Sequence, residues 1–579
     1  MKPYRGLALV ALLLLATLVV FDLAIPRLVQ RIIDEGIGKR DRALVIHTSL
    51  LMLAVSALST LIAIGNNVTS VRVGEGVARD LRRALFLKMQ SFSYGNLDRA
   101  QTGQLLVRLT SDVNAVKGLV QISLRIGTRA PLMMLGSLAL MVSTSRDLAL
   151  SLLPLLLVTS ALIVFFVLKT EPLFRKVQLK LDALNGVLQE NIAGARLIKS
   201  LVRAEREIER FGVANSELTD RSIAVSKFSS TMMPALTSCI NIGTVVVIWA
   251  GGLQTIHGRL TLGQMVAFAN YLLSTMTPLV LMTMLSNMWA AGFASLRRVE
   301  EVLSTEPEIR DRPDAKQLPA ASRVDVRFDD VWFAYGGNGA PAGAEVEVSE
   351  AVLQGIAFAA QPGQMLAILG ATGVGKSTLV NLIPRLYEVT RGAVLVQGLD
   401  VRDVTQASLL DRVAIVPQEA LLFAGTVREN LAYGKPHATD AELEAAARAA
   451  QAHDFISQLP EQYGARVAPR GSNFSGGQRQ RLCIARALVL EASILILDDS
   501  TSAVDIETEG KIQDALRARA GAGTLFVVAQ RISSVLRADR ILVLEHGRIV
   551  AQGTHAELLQ NSSVYREIYD SQLGAGVPA

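Results

Sequence analysis

Cysteine is nearly absent from this chain: there are two, Cys239 and Cys483, in 579 residues. That excludes a disulfide-stapled secreted scaffold. The two read instead as small apolar packing residues. Charge is scarce as well, at 19% of residues against about a quarter in ordinary soluble domains. Half the chain is hydrophobic and the mean hydropathy is +0.35, which excludes intrinsic disorder. Six histidines, none at metal-ligand spacing, leave no protein-built metal cage to argue from.

The formal net charge of +6 hides an asymmetry. Residues 1–300 carry 32 Lys/Arg against 18 Asp/Glu, and residues 301–579 carry 26 against 34. The basic excess therefore belongs to the first half, where its placement is that of membrane loops. No nucleic-acid partner is expected.

What that half has in quantity is uncharged runs. Gly6–Phe21, Leu148–Leu168, Phe228–Ile256 and Leu260–Leu296 contain no Asp, Glu, Lys or Arg. Thr48–Val71 and Ala130–Ser145 fill the gaps between them. A bilayer crossing needs roughly 20 apolar residues, so six spans are expected, near 6–26, 44–71, 127–145, 147–170, 228–256 and 260–296. Lys2 and Arg5 before the first run resemble a signal peptide, but Asp22, Pro26 and Arg27 follow where a small-residue cleavage site would stand. The run is read as the first span.

Residues 72–129 hold ten Lys/Arg and residues 169–227 hold eleven, against five in 27–42. The positive-inside bias then puts the N-terminus, both long loops and the C-terminal half in the cytoplasm of a multi-pass inner (plasma) membrane protein. Val71–Ser91 and Lys176–Arg203 keep helical apolar spacing, so the spanning helices are expected to continue beyond the bilayer. Asp22 leaves two readings open: a functional ionisable group inside the membrane, or an interfacial carboxylate paired with Arg27. Asn241, Asn270, Asn287 and Trp289 are either cavity lining or interhelical hydrogen-bonding groups.

Beyond a Pro- and charge-rich linker the texture changes to β-branched runs separated by turns. The expected strands are Val324–Phe328, Met365–Leu369, Val413–Val416, Ile494–Leu497, Leu525–Val528 and Arg540–Leu544, with helices between several of them. Gly336–Gly343 reads as a turn insert. The expected division is a transmembrane domain over 1–303, a linker over 304–321 and an α/β domain over 322–579. The fold class is an α-helical transmembrane domain followed by an α/β domain with a helical subdomain.

Gly370-Ala-Thr-Gly373-Val-Gly375-Lys376-Ser377-Thr378 lies between an apolar strand and a helix-like run. Its glycines let backbone N–H groups surround phosphate oxygens, Lys376 reaches the β- and γ-phosphates, and Ser377 can ligate Mg²⁺. Ile494–Asp498 is an apolar strand ending in a carboxylate placed to orient the Mg²⁺ that accompanies ATP, through water.

Asn473-Phe-Ser475-Gly476-Gly477-Gln478-Arg-Gln-Arg resembles the signature sequence of ATP-binding-cassette (ABC) ATPases. The resemblance implies that Ser475, Gly476, Gly477 and Gln478 face the ATP held by a second cassette. It further implies adenine stacking on Tyr335, Mg²⁺ sensing by Gln418 and a dimer-crossing loop ending at Asp505. Six spans and one such domain resemble an ABC exporter half-transporter over nearly the whole length, with 322–579 as its nucleotide-binding α/β P-loop ATPase domain. Thr102-Gly103 with Arg108–Asp112, and Gly194–Phe211, resemble its coupling-helix regions.

Three positions depart from the family's pattern. Asp499 stands where Glu usually polarises the attacking water, Gln530 where His usually contacts the γ-phosphate, and Pro469 where such exporters commonly have Glu. One methylene fewer retracts a carboxylate by about 1.5 Å, a misplacement that can cost roughly 10²-fold in rate. Asp499 and Gln530 serve the ATP bound by Lys376, whereas the signature is intact. The expectation is a heterodimer subunit with a slow site of its own, exporting amphipathic drugs or lipids beside a partner with Glu and His intact. A homodimeric lipid flippase or exporter, or an uptake system on the exporter fold, is the alternative.

Overall fold

The computed structural model describes residues 2–100, 102–320, 324–336, 351–520 and 523–573. The chain divides into two compact units, Met1–Gln90 with Gly103–Thr305, and Ser91–Thr102 with Glu306–Ala579.

The first unit is helical throughout. Its long elements are α1 (Arg5–Arg31), continued by a π-helical turn Ile32–Ile37, and α2 (Arg42–Gln90). A short α3 (Tyr94–Arg99) folds with the second unit. Then come α4 (Thr102–Val107), α5 (Val113–Ile122), α6 (Arg129–Thr144), α7 (Arg146–Ala193), α8 (Ala195–Ser200), α9 (Ala204–Ser230), α10 (Met232–Ile256) and α11 (Leu262–Ser304). Among the described residues, five helical stretches are long and apolar enough to cross a membrane, and α11 adds a further 43-residue helix. With 49 and 48 residues, α2 and α7 far exceed the roughly 20 that a bilayer requires, so the helical spacing read in Val71–Ser91 and Lys176–Arg203 belongs to spanning helices that run on. Their apolar side chains are widely exposed in the protein alone, Leu53 at 68% and Leu168 at 64%, as lipid-facing helices require.

Interhelical polar contacts replace a hydrophobic driving force within this unit. Asn66 Nδ2 donates to the Ala11 carbonyl at 2.7 Å, and the Ser137 and Thr275 hydroxyls meet at 2.7 Å. Asp22 is not paired with Arg27: its carboxylate accepts from Arg129 at 2.7 Å and from Ser59 at 3.2 Å, while Arg27 turns to Gln30. Arg129, counted with the loop before span three, is the first residue of α6. Asp112 is buried and accepts from Arg298, Ser295 and Arg108, tying a π-helical turn over Arg108–Asp112 to α11. Asn270 bonds its own helix, to the Val266 carbonyl. Among the described residues Trp289 Nε1 is buried with no hydrogen-bond partner, and the Asn287 side chain lies outside them.

Among the described residues of the second unit twelve strands follow one another: β1 (Val326–Phe333), β2 (Leu353–Ala360), β3 (Met365–Leu369), β4 (Arg391–Val396), β5 (Leu399–Asp400), β6 (Val413–Val416), β7 (Gly425–Thr426), β8 (Arg466–Val467), β9 (Ile494–Asp498), β10 (Thr524–Ala529), β11 (Arg540–Glu545) and β12 (Arg548–Gly553). The central sheet has the order β12-β11-β3-β10-β9-β6, parallel except for β12. Strand β3 is buried along its whole length, the mark of a parallel strand covered on both faces. A second, antiparallel sheet of order β2-β1-β4-β5 was not anticipated. Its strands β2 and β4 pass too weakly in sequence, with Gly355 and Gly392 inside them, and β1 starts two residues later than expected. Helices Val427–Leu431, Asp440–Ala449, His453–Ser457 and Gly476–Val489 form the helical subdomain between β6 and β9. Most of the expected insert, residues 337–343, lies outside the described residues.

Candidate nucleotide site

The phosphate loop joins β3 to α12 (Lys376–Asn381), a helix shorter than the expected Leu379–Leu386 run. Gly373 and Gly375 take φ of +85° and +97°, which an L side chain rarely adopts. A Cβ on Gly370 would lie 2.5 Å from the Leu544 carbonyl oxygen, so the loop is shut against β11. Lys376 is buried and its ammonium donates to the Gly370 and Ala371 carbonyls, both at 2.8 Å. Burial lowers its pKa, partly offset by Asp499 and Asp498. Its charge is thus held at the mouth of the loop by groups that a phosphate can replace.

Parallel pairing of β3, β10 and β9 brings three distant stretches to one sheet edge. Ser377 Oγ donates to Asp498 Oδ1 at 2.8 Å. Asp498 is buried at the end of β9, and burial raises its pKa, with the charge of neighbouring Asp499 adding to the rise. Asp499 follows at φ +46°, in the left-handed region. Gln530, at the end of β10, donates from Nε2 to Asp499 Oδ2 at 2.8 Å and accepts from Thr372 at 3.5 Å. Burial also raises the Asp499 pKa, against the lowering effect of Lys376, Arg531 and the Gln530 bond. Two of the three departures from the family pattern are therefore one hydrogen-bonded couple beside the phosphate loop.

Tyr335 is 52% exposed, and its hydroxyl lies 2.8 Å from Thr378 Oγ1. Gln418 is exposed two residues beyond β6. Pro469 opens a short 3-10 turn, Pro469–Gly471.

The signature is the N-terminus of the helix Gly476–Val489. Ser475 is its N-cap: Oγ accepts from the Gln478 N–H at 3.2 Å while Gln478 Oε1 accepts from the Ser475 N–H at 2.9 Å. A Cβ on Gly477 would stand 2.8 Å from the Ala503 carbonyl oxygen, so only glycine fits there. Gln480 binds Ser502 Oγ and the Ala503 N–H, and Arg531 donates to the Ser502 carbonyl at 3.0 Å. Asp505 is exposed and caps the next helix by accepting from the Thr508 N–H.

Sequence reasoning placed the cassette's motif residues but missed Asn96, Asp98 and Tyr387. Tyr387 donates to Asp98 at 2.5 Å across 289 positions of sequence, and no local pattern carries such a pair. The segment that folds with the cassette is Ser91–Thr102, which ends on the Thr102 that the resemblance pointed to.

Residues 8–279 match the family model described as ABC transporter transmembrane region, and residues 353–502 the one described as ABC transporter. The chain is 37% identical to the Bacillus subtilis (strain 168) ABC transporter ATP-binding protein YfiB, over 99% of this chain and 98% of that protein. It is 32% identical to an ATP-dependent lipid A-core flippase of Desulfotalea psychrophila, over 98% and 97%. A bacterial Atm1-family ABC exporter with ATP bound superposes with a TM-score of 0.81 at 26% identity, over 99% of both chains. The chain belongs to the ABC transporter family: it is a half-transporter of the exporter fold, a multi-pass transmembrane unit fused to an ATPase that is coupled to transport.

Proposed function

We propose that this chain is one half of a heterodimeric exporter of amphipathic drugs or lipids, and that the ATP bound by its own phosphate loop turns over slowly. The observation that carries this reading is the Asp499–Gln530 couple beside Lys376, set against an intact signature on the same cassette. Gln530 can donate to a γ-phosphate but brings no positive charge, and the shortened Asp499 is a poorly placed base for water. Ser475–Gln478 would complete a competent site on the partner's phosphate loop. Similarity to a lipid A-core flippase supports a lipidic substrate.

In this reading ATP sits with adenine on Tyr335 and its phosphates in the Gly370–Thr378 loop. Mg²⁺ fits the adjacent oxygens of Ser377 and Asp498, 2.8 Å apart, because a hard cation suits oxygen ligands and relieves a buried carboxylate. There it would neutralise phosphate charge. Gln418 senses the ion, and Asp505 with Ser502 reaches the opposite cassette. Closure of the two cassettes switches the paired spans from inward- to outward-facing, and hydrolysis in the partner's site resets them. The basic stretches 72–129 and 169–227 support a cytoplasmic cassette under a plasma membrane.

The test is to purify the full chain from its native membrane and sequence what accompanies it. A second half-transporter with Glu and His at the positions of Asp499 and Gln530 is expected. Purification as an active homodimer would overturn the heterodimer, and a leaflet-reorientation assay with fluorescent phospholipid separates a flippase from a drug exporter.

A further inference from the structure

The chain leaves α2 at Gln90 and enters α4 at Thr102, and both helices belong to the membrane unit; the segment between them, including α3, folds with the cassette. How firmly it does so is visible at each residue. Ser93 caps α3 through a box with Asn96. Asn96 is buried, donates to the Glu306 carbonyl at 3.2 Å and accepts from the Glu308 N–H at 3.1 Å. Arg99 pairs with Glu308. A Cβ on Gly95 would meet the Glu308 carboxylate, so α3 approaches that strand of chain as closely as backbone allows.

One further contact leads to the nucleotide site. Tyr387 lies eleven residues beyond Lys376, buried, and its hydroxyl donates to Asp98 Oδ2 at 2.5 Å. Burial and the Asp98 carboxylate both raise its pKa, so the phenol keeps its proton and remains the donor. Its ring stands edge-on to Tyr335, at 5.4 Å and 89°, and to Tyr94 of α3, at 6.0 Å and 72°. Phe333 closes the cluster at 4.9 Å from Tyr335 and 5.7 Å from Tyr387. Tyr335 is thus fixed on one side by Thr378 and on another by Tyr387, with half its surface left open. Close-packed rings cannot absorb a tilt of one member without moving the next.

We propose that Tyr387 is a positioning residue that makes the base of the bound nucleotide felt by α3: a purine stacked on Tyr335 fixes the Tyr387 ring, and its hydroxyl holds Asp98. The relay rests on the reading of Tyr335 as the adenine platform. It differs from sensing of the γ-phosphate because it responds to what the base is, not to how many phosphates follow. Two nucleoside triphosphates with the same phosphates and different bases should therefore set α3 differently.

The experiment uses the full chain in its native assembly, reconstituted in vesicles of phosphatidylethanolamine and phosphatidylglycerol. Leu97→Cys on α3 carries a spin label; Leu97 is exposed and both native cysteines are buried. In this parent, saturating MgATP should immobilise the label and saturating MgUTP should do so far less, since pyrimidines stack weakly. Tyr387→Phe keeps the rings but removes the donor. It should leave the affinity for ATP within about twofold, because no nucleotide contact is lost, and cut the ATP-induced change about tenfold, the worth of a bond to a charged acceptor. Asp98→Ala should do the same, and Asp98→Asn, which retains an acceptor oxygen, should rescue. A parent spectrum indifferent to the base, or a Tyr387→Phe response equal to the parent's, overturns the relay. Tyr335→Ala separates the two readings: unchanged ATP affinity in that variant sinks the adenine platform, whereas weakened affinity with a silent Tyr387→Phe sinks the relay alone.

Discussion

In the proposed reading, the two ends of this cassette that would meet nucleotide are built to different standards. On the signature side every geometric requirement is in place: a reciprocal cap at Ser475 and Gln478, a glycine at 477 where no Cβ fits, and Gln480 anchoring the adjoining loop. On the phosphate-loop side the binding parts are equally complete, with Lys376 and the Ser377–Asp498 pair in position. In the proposed reading the parts that would activate water are weakened: the shortened Asp499 and the uncharged Gln530 stand hydrogen-bonded to each other. Binding and turnover use separate residues, so a site can keep the first and lose the second.

The sharpest way to break this contrast is to disable each side in turn within the native assembly. Ser475→Arg should lower steady-state ATP turnover by about 10²-fold or more, since it obstructs donors aimed at the partner's γ-phosphate. Lys376→Ala should lower it by less than about threefold, because it removes phosphate binding only from the slow site. Equal losses would mean the two sites contribute alike. In the Ser475→Arg background, the pair Asp499→Glu with Gln530→His should raise the residual phosphate release by up to about 10²-fold. No gain, with assembly confirmed, would show that something other than these two side chains makes the site slow.

Smaller effects sharpen the same comparison. Gly477→Ala forces a methyl against the Ala503 carbonyl and should destabilise the cassette by about 1–3 kcal/mol, read as a lower thermal midpoint. The smallest effect expected is in pH dependence. Burial holds the Asp499 pKa above the usual carboxylate value and the Gln530 bond pulls it back, so the basic form is lost as pH falls through that raised pKa. Removing the bond with Gln530→Leu should raise the pKa further and move the acid limb of residual turnover to higher pH. A limb moving to lower pH would contradict the assigned contact.

Much of this was legible locally. Charge-free runs near or beyond bilayer length, a glycine loop between strand and helix, and a Ser-Gly-Gly-Gln stretch resembling a family signature are short-range patterns, and β3 and β6 coincide with the expected strands. The antiparallel sheet escaped because its strands β2 and β4 are interrupted by glycines and gain stability only from their neighbours. Asp22 escaped for a related reason: its nearest cation in sequence is Arg27, but one helix face brings Arg129 closer.

Composition and spacing by themselves determined lipid-soluble helices and a phosphate loop, and the resemblance to a known family added the class of machine and the residues that depart from its pattern. The helices and the loop follow from the bilayer's demand for apolar length and from backbone geometry that only particular residues satisfy. Tertiary structure alone decided which side chains share a bond. That Gln530 faces Asp499, and that Tyr387 reaches Asp98 beside Tyr335, depends on parallel pairing of β9 and β10 and on a twelve-residue segment folding away from its own helices. Neither arrangement leaves a periodic trace, because contacts between residues far apart in sequence are set by packing and not by local propensity.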